Sequence, residues 1–360
     1  MPLQLPTRLH PDAPHLDHLT PRSAIPGGSF EVTGSLILKG NELPEAFFGE
    51  TPATFDMARP TRARIRVPSG AISSDLIVRR NGVASNVLHA NVGVPMAEDL
   101  HLVANPAVDA DGNIFAMVSG PRGETVPVSI YRIARDLQIS AHVRDVLNVS
   151  ALAFDPTGQS GSDLFASSRA DGAIYRITPE GNITTFAEGM GIATGLAFDR
   201  NGNLFVGDRS GTIFKLRPGR TPGENAETFV FATLEPSVAF YHLCFHPDGR
   251  LFVTAPSTSS HQPIYAVDAD GNTTTFFNGL GRPQGMAFDV DGNLYIAASL
   301  HGERGIIRVW PSSTGTMQAE LTVAGNDLVG LCFLDDGCAA LATHTTLFHA
   351  DLGIEGLPLI

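Results

Sequence analysis

The sequence is short of positive charge and of long apolar runs. It contains 24 Lys and Arg residues against 37 Asp and Glu residues, which gives a formal net charge of −13. Because binding to phosphate groups requires clustered Lys and Arg, we expect no nucleic-acid partner. No apolar run approaches the length of a bilayer-spanning helix, so we expect no membrane insertion.

The amino-terminal sequence also lacks the features of a secretory leader. The first residues, MPLQLPTRLHPDAPHLDHL, contain no apolar central segment, which predicts a cytoplasmic location. Residues 1–18 are rich in Pro and His, and we expect them to form an extended lead-in to the first domain.

What the sequence does contain is a repeated unit. Residues 283–297, PQGMAFDVDGNLYIA, predict a strand, a tight turn and a second strand, because apolar runs flank a turn rich in Asp, Asn and Gly. Closely similar copies occupy 193–207 and 103–117. Looser copies begin at Val149, Phe240 and Leu328.

The spacing of this unit predicts the fold. Its turn glycines recur every 43 to 47 residues, at Gly112, Gly158, Gly202, Gly249, Gly292 and Gly337. A period in this range with only strands in each unit is typical of propeller blades. Six copies therefore predict an all-β, six-bladed β-propeller, and we assign residues 93–360 to it.

The repeat resembles the NHL repeat over roughly residues 94–352. Residues 95–109 align without a gap to 185–199, where the first part is an outer strand. The segment 94–97 therefore looks like an outer strand with no blade of its own. We expect it to close the ring by pairing with the strand near 346–350.

The residues before the propeller predict a second domain at 19–92. Ala63, Ile65 and Val67 alternate with arginines, as in a half-buried antiparallel strand, and short strands at this spacing suggest a β-sandwich. The Pro-Gly-Gly run at 26–28 and the later Phe-Phe-Gly resemble the IPT/TIG immunoglobulin-like domain. That resemblance implies a spacer or partner-binding module, and it leaves an extracellular location open.

Cysteine is scarce, with Cys244, Cys332 and Cys338 in the whole chain. Cys244 and Cys332 fall at a repeat position that other copies fill with alanine. This position predicts buried free thiols, since nothing charged nearby would activate a thiolate.

The repeat arrangement is also similar to the gluconolactonase/senescence-marker family and, more distantly, to strictosidine synthase. The first resemblance implies a divalent metal at the propeller mouth, held by Glu, Asn and Asp. The matching positions here are Ala104, Thr194 and Gln284, and none is a carboxylate. The zinc-binding histidines of the peptide-amidating lyase, another NHL propeller, also have no equivalent here, because His242 lies one residue past that ring. We therefore expect no cofactor and no catalytic metal.

We expect function at the mouth, the face of the propeller at which the innermost strands begin. The repeat brings residues from several blades together there, and they fall into two groups. The predicted ligand-binding residues are Tyr241, Gln284, Thr194, Ser150, Arg169, Arg209 and His301. The predicted catalytic residues are His242, His344 and Asp208. Asp208 could instead bond the backbone, and Tyr241 could simply plug the channel.

Two functions fit this mouth. One is binding of a small molecule or a protein partner without catalysis. The other is a metal-independent hydrolase or lyase for a carbonyl- or carboxylate-bearing substrate, with His242 or His344 as general base and the two arginines stabilising negative charge. A deep apolar cavity with a hydrogen-bonded His–Asp or His–Tyr pair would favour the enzyme. A flat, wet rim would favour the binding module.

Overall fold

A computed structural model describes residues 11–121, 124–217, 226–239, 241–256 and 261–357. Residues 1–10 of the predicted lead-in lie outside these ranges. The chain divides into two compact units. Unit 1 comprises Met1–Val94, Thr322–Asn326 and Ala350–Leu352, and unit 2 comprises Pro95–Leu321, Asp327–His349 and Gly353–Ile360.

The first nine strands lie in unit 1. They are β1 (His15–Thr20), β2 (Ser23–Ala24), β3 (Ser29–Ser35), β4 (Glu45–Phe48), β5 (Thr51–Ala58), β6 (Arg62–Arg66), β7 (Ser74–Arg80), β8 (Val83–Ala84) and β9 (Leu88–Val92). The predicted alternation in β6 is confirmed, because Ala63 and Ile65 are fully buried and Arg62 and Arg66 are exposed. Residues 15–18 belong to β1, although the sequence placed them in the lead-in.

The strands of unit 1 follow a single hydrogen-bonded path, in the order β1-β3-β6-β5-β4-β7-β9-β2. The path is continuous because β5 changes partner along its length. Thr51–Ala53 pair with β4, and Thr54–Ala58 pair with β6. The sequence predicted an immunoglobulin-like sandwich of two sheets here, and that finer assignment stays a prediction.

The remaining strands carry the repeats. They are β10 (Val94–Ala97), β11 (Ala107–Val108), β12 (Ile114–Met117), β13 (Ile130–Ile133), β14 (Ile139–Val143), β15 (Val149–Phe154), β16 (Leu164–Ser168), β17 (Ile174–Ile177), β18 (Ile183–Ala187), β19 (Ala193–Phe198), β20 (Leu204–Asp208), β21 (Thr212–Arg217), β22 (Glu227–Thr233), β23 (His242–Phe245), β24 (Leu251–Thr254), β25 (Gln262–Val267), β26 (Thr273–Leu280), β27 (Met286–Phe288), β28 (Leu294–Leu300), β29 (Glu303–Pro311), β30 (Met317–Ala324), β31 (Leu328–Phe333), β32 (Cys338–Thr343) and β33 (Leu347–Asp351). A 3-10 turn at Asp335–Gly337 separates β31 from β32.

These strands form a β-propeller with five separate four-stranded sheets. Their orders are β11-β12-β13-β14, β15-β16-β17-β18, β19-β20-β21-β22, β23-β24-β25-β26 and β10-β33-β32-β31. The sequence predicted six such sheets, and this count is wrong. Strands β27 to β30 are part of a thirteen-stranded sheet, because Val323 and Ala324 at the end of β30 pair in parallel with Ser23 and Ala24.

The predicted closure by an amino-terminal outer strand is confirmed. β10 takes the outer position of the last four-stranded sheet, next to β33. Pro95 is compatible with this place because an outer strand has one edge on which no ladder hydrogen bond is required.

The innermost strands β11, β19 and β27 each end in a tight turn built around one aspartate. In the turn after β19, the backbone N–H of Asn201 and the backbone N–H of Asn203 each donate to Asp199 Oδ1 at 2.9 Å. The Asn203 amide donates to Asp199 Oδ2 at 2.7 Å. Gly202 has a φ of +78°, a conformation that glycine adopts without strain. The turns that begin at Asp109 and Asp289 repeat this pattern.

Aromatic pairs join successive sheets. The phenylalanine at the end of an innermost strand meets, edge to face, an aromatic ring on the second strand of the preceding repeat, with ring centroids 5.0–5.3 Å apart. The pairs are Phe115–Phe154, Phe165–Phe198, Phe205–Phe245, Phe252–Phe288 and Tyr295–Phe333. Such contacts add about 0.5–1.5 kcal/mol each to the free energy gained by burying the rings.

We predict that Phe165→Ala lowers the free energy of unfolding by about 3–5 kcal/mol. Phe165 is 1% exposed and contacts both Phe186 and Phe198, so its loss leaves a cavity between two sheets. Urea denaturation followed by circular dichroism measures the change. The matched control is Phe229→Ala on the outer strand β22, where the ring is 42% exposed and we expect a change below about 1 kcal/mol. Equal effects at the two sites would contradict the proposed role of the pairs.

Candidate functional site

The innermost strands of unit 2 enclose a cavity of about 500 Å³, which we call the axial cavity. Its wall is mostly apolar. Small side chains come from the next-to-last position of innermost strands, and the large ones are phenylalanines. The wall includes Ala107, Ala153, Ala197, Cys244, Phe154, Phe198, Phe205, Phe245 and Phe288.

The axial cavity follows the innermost strands toward their turn ends. It reaches exposed residues of the turns after β19 and β23, namely Arg200, Asn201 and Gly249. At its other limit it includes Tyr241 and His242, where β23 begins. The cavity therefore reaches the surface at the end of the propeller opposite to the predicted mouth.

Hydrogen bonds to backbone groups are made at the polar positions of the start end. The Ser150 hydroxyl donates to Ala193 O at 2.7 Å. The Thr194 hydroxyl donates to Gly207 O at 3.0 Å and accepts from the Tyr241 backbone N–H at 3.0 Å. At Gln284 the backbone carbonyl accepts a hydrogen bond from the Thr254 hydroxyl at 2.9 Å.

Asn105 closes the same region from another repeat. Its side-chain amide donates to Met286 O at 2.8 Å, and its Oδ1 accepts from Leu331 N at 3.1 Å. A side chain at Gly285 or Gly330 would collide with this amide oxygen. Asn105 is therefore committed to holding β27 and β31 in place.

Tyr241 lines the axial cavity but has a bound hydroxyl. Its phenol donates to Glu235 O, and its ring is fully buried in a cluster that includes Phe205 and Leu243. Burial, together with charges on Tyr265, Asp208 and Glu235, raises the pKa of Tyr241 to about 12. The phenol is therefore neutral at pH 7 and does not act as a base.

His242 differs from these residues because its ring is uncommitted. The residue is 6% exposed and lines the axial cavity, and neither ring nitrogen has a hydrogen-bond partner among the residues that the structure describes. Burial lowers the pKa of His242 to about 4. The neutral imidazole thus offers one N–H donor and one nitrogen acceptor. Its neighbour Cys244 is inert, since burial raises the pKa of that thiol to about 12.

Charged side chains line only the turn end of the axial cavity. Lys215 Nζ lies 3.7 Å from Asp199 Oδ2 and 5.1 Å from the centroid of the Phe205 ring. Arg200 is exposed, and His246 stacks on Phe252 while its Nδ1 lies 2.8 Å from Asp248 Oδ1. The start end of the cavity has no charged lining residue within the described ranges.

The other predicted site residues lie outside the wall of the axial cavity. Arg169 donates to Gly120 O at 2.9 Å, and Arg209 donates to Val238 O at 2.9 Å, so each guanidinium holds a neighbouring loop. Asp208 accepts a hydrogen bond from Ile192 N at 2.7 Å and another from the Ser210 hydroxyl. The first is the kind of backbone bond that was the alternative to a catalytic role for Asp208.

Two predicted histidines are exposed. His344 Nδ1 lies 3.2 Å from Leu102 O, and His301 occupies the turn between β28 and β29 with a φ of +51°. The structure does not bring either of them to His242, and no His–Asp or His–Tyr hydrogen bond involves His242 in the described part of the chain. The functional roles assigned to these residues stay predictions.

The positions at which the gluconolactonase resemblance implies metal ligands are Ala104, Thr194 and Gln284. Ala104 has no ligand atom, and both hydrogen-bonding roles of the Thr194 hydroxyl are taken. Over the described ranges, no group of three or more His, Cys, Asp and Glu side chains is placed to bind one.

The opening of the axial cavity at its turn end was not predicted from the sequence. The signal was present in the repeated Ala-Phe-Asp and Cys-Phe-His triplets, whose small first residue leaves space and whose aromatic residue forms the wall. The burial of Cys244 and Cys332 as free thiols is confirmed. Among the described residues, no helix has the length and apolar content that crossing a membrane requires.

No family model matches the sequence, and no curated protein is similar to it by sequence. Solved structures do share the fold. A Bacteroides thetaiotaomicron protein of unknown function has a TM-score of 0.56 at 13% identity, over 95% of this chain and 99% of its own. An auxiliary nutrient binding protein from the same organism has a TM-score of 0.51 at 12% identity, over 94% of this chain and 98% of its own. A candidate gluconolactonase has a TM-score of 0.55 at 17% identity, over 74% of this chain and 94% of its own.

We predict that His242 makes unit 2 sensitive to acid. The unfolded histidine takes up a proton below its ordinary pKa of 6.5, whereas the folded one does so only near pH 4. The free energy of unfolding therefore carries no penalty from His242 above pH 6.5. It falls as the pH drops toward 4, and this residue accounts for about 3 kcal/mol of the fall. Urea denaturation at several pH values should show that His242→Leu removes this loss. His301→Leu, at an exposed histidine, should keep it, and an unchanged pH dependence in His242→Leu would contradict the assignment.

Proposed function

We propose that unit 2 binds a small molecule in the axial cavity and does so without catalysis and without a metal. The observation that carries this proposal is the uncommitted His242 in the wall of a cavity of about 500 Å³. Ligand pockets of about 300–1,000 Å³ with apolar walls and few polar groups are the common form of a small-molecule site.

The absence of an oriented base argues against the hydrolase or lyase alternative. A histidine that acts as a general base is usually held by a carboxylate or a tyrosine that fixes its tautomer. Among the described residues, His242 has no such partner, and its low pKa makes it a weak base. The fold itself does not decide between binding and catalysis, since both a nutrient binding protein and a candidate gluconolactonase share it.

We further propose that the repeats are of the NHL kind and that residues 19–92 form an immunoglobulin-like module of the IPT/TIG kind. The recurrent Asp–Asn turns support the first assignment, and the alternating burial of β6 supports the second. Such a module would serve as a spacer or as a second binding surface.

The test uses N-phenyl-1-naphthylamine, an uncharged dye whose fluorescence rises in apolar surroundings. Ala153→Leu places a larger side chain in the wall of the axial cavity and should weaken dye binding by about tenfold or more, because the added atoms fill space that the dye would occupy and about 1.4 kcal/mol is a tenfold change. The control variants are His344→Ala and Arg209→Ala at the predicted mouth, and both should bind the dye normally. Thermal melting confirms that each variant is folded.

The same experiment can refute the proposed site. If Ala153→Leu binds normally and either control variant loses binding, the ligand lies at the mouth where the innermost strands begin. If no folded form of the protein binds the dye, binding of an apolar small molecule is wrong.

A further inference from the structure

We infer that the ligand of the axial cavity is an uncharged molecule with an apolar body and a hydroxyl or carbonyl group that hydrogen-bonds to His242. This inference rests on the proposed function and names the class of ligand. It also gives the orientation of the ligand in the axial cavity. The polar group of the ligand lies at the start end, and the ligand enters from the turn end.

His242 supplies the polar contact. Its repeat position is held by Ala151, Gly195, Gly285 and Gly330 in other copies, so a side chain as large as imidazole is exceptional there. Its ring lines the axial cavity and has no hydrogen bond to a described residue, whereas an apolar residue of similar size would offer no hydrogen-bonding group there. A ligand with a hydroxyl or carbonyl group pairs with the ring, which gives the histidine a purpose that packing does not provide.

Asn105 is held by the protein and differs from His242 in this respect. It occupies the equivalent repeat position in the first copy, but its amide oxygen and its amide nitrogen are both bonded to backbone groups of β27 and β31. Tyr241 is likewise committed through its hydroxyl. Of these polar side chains at the start end of the cavity, His242 is the one without a hydrogen bond to a described residue.

The wall around His242 selects against charge. The charged residues that line the cavity, Asp199, Arg200 and Lys215, all belong to its turn end or to the neighbouring strand β21. A carboxylate or ammonium group at the start end would lose its hydration without gaining an ion pair, and that loss is costly. A hydroxyl or carbonyl needs only the single hydrogen bond that a neutral imidazole can give or accept.

The test compares three naphthalene probes that differ in one substituent. 2-Naphthol carries a hydroxyl, 2-methylnaphthalene has no hydrogen-bonding group, and 2-naphthoate is an anion at pH 7. Fluorescence titration gives the dissociation constant of each probe for the wild type, His242→Leu and His242→Gln. His242→Gln retains a donor and an acceptor, whereas His242→Leu removes both.

We expect the wild type to bind 2-naphthol about tenfold more tightly than 2-methylnaphthalene, and 2-naphthoate most weakly. His242→Leu should lose the preference for the hydroxyl while still binding 2-methylnaphthalene, and His242→Gln should restore part of it. A preference for 2-naphthol that persists in His242→Leu would overturn the inference. So would tightest binding of 2-naphthoate, although either result would leave the proposed cavity intact. If none of the probes binds, the proposed function fails with it.

Discussion

The edge-to-face contact between a strand-end phenylalanine and an aromatic ring of the preceding repeat is the interaction on which the architecture depends. It recurs at the five junctions from β12–β15 to β28–β31. The residue before the phenylalanine is small at Ala153, Ala197 and Cys244, and these side chains line the axial cavity together with the phenylalanines. The strands that carry the contacts between sheets are therefore also the strands that form the wall of the axial cavity.

The two ends of the channel are used differently. At the start end, hydroxyl and amide side chains bond the backbone of other innermost strands, as Ser150 does to β19 and Asn105 does to β27 and β31. Polar residues converge there for a structural reason, since each buried backbone group requires a partner. At the turn end, the aspartate-centred turns satisfy their own backbone, which leaves the channel accessible between them.

Much of the fold could be predicted from the period of the repeats, because the turn chemistry of Asp, Asn and Gly is local. The closing strand β10 could also be predicted, since 95–109 match an outer strand elsewhere in the chain. The merging of β27 to β30 into a larger sheet could not, because it depends on the distant pair of Ala24 and Ala324. His242 was identified by its unusual size in the repeat, but its lack of a partner depends on register between sheets and is invisible in a sequence.

The closure by β10 has a consequence for biosynthesis. β10 is the first strand of the repeat region to be made, and β33, its partner, is the last. The ladder between them forms only after every intervening repeat has been synthesised, so ring closure is a contact of very high sequence separation and is slow to form. Until then β10 lacks its partner strand, and the nascent chain depends on its other, locally formed sheets to avoid aggregation.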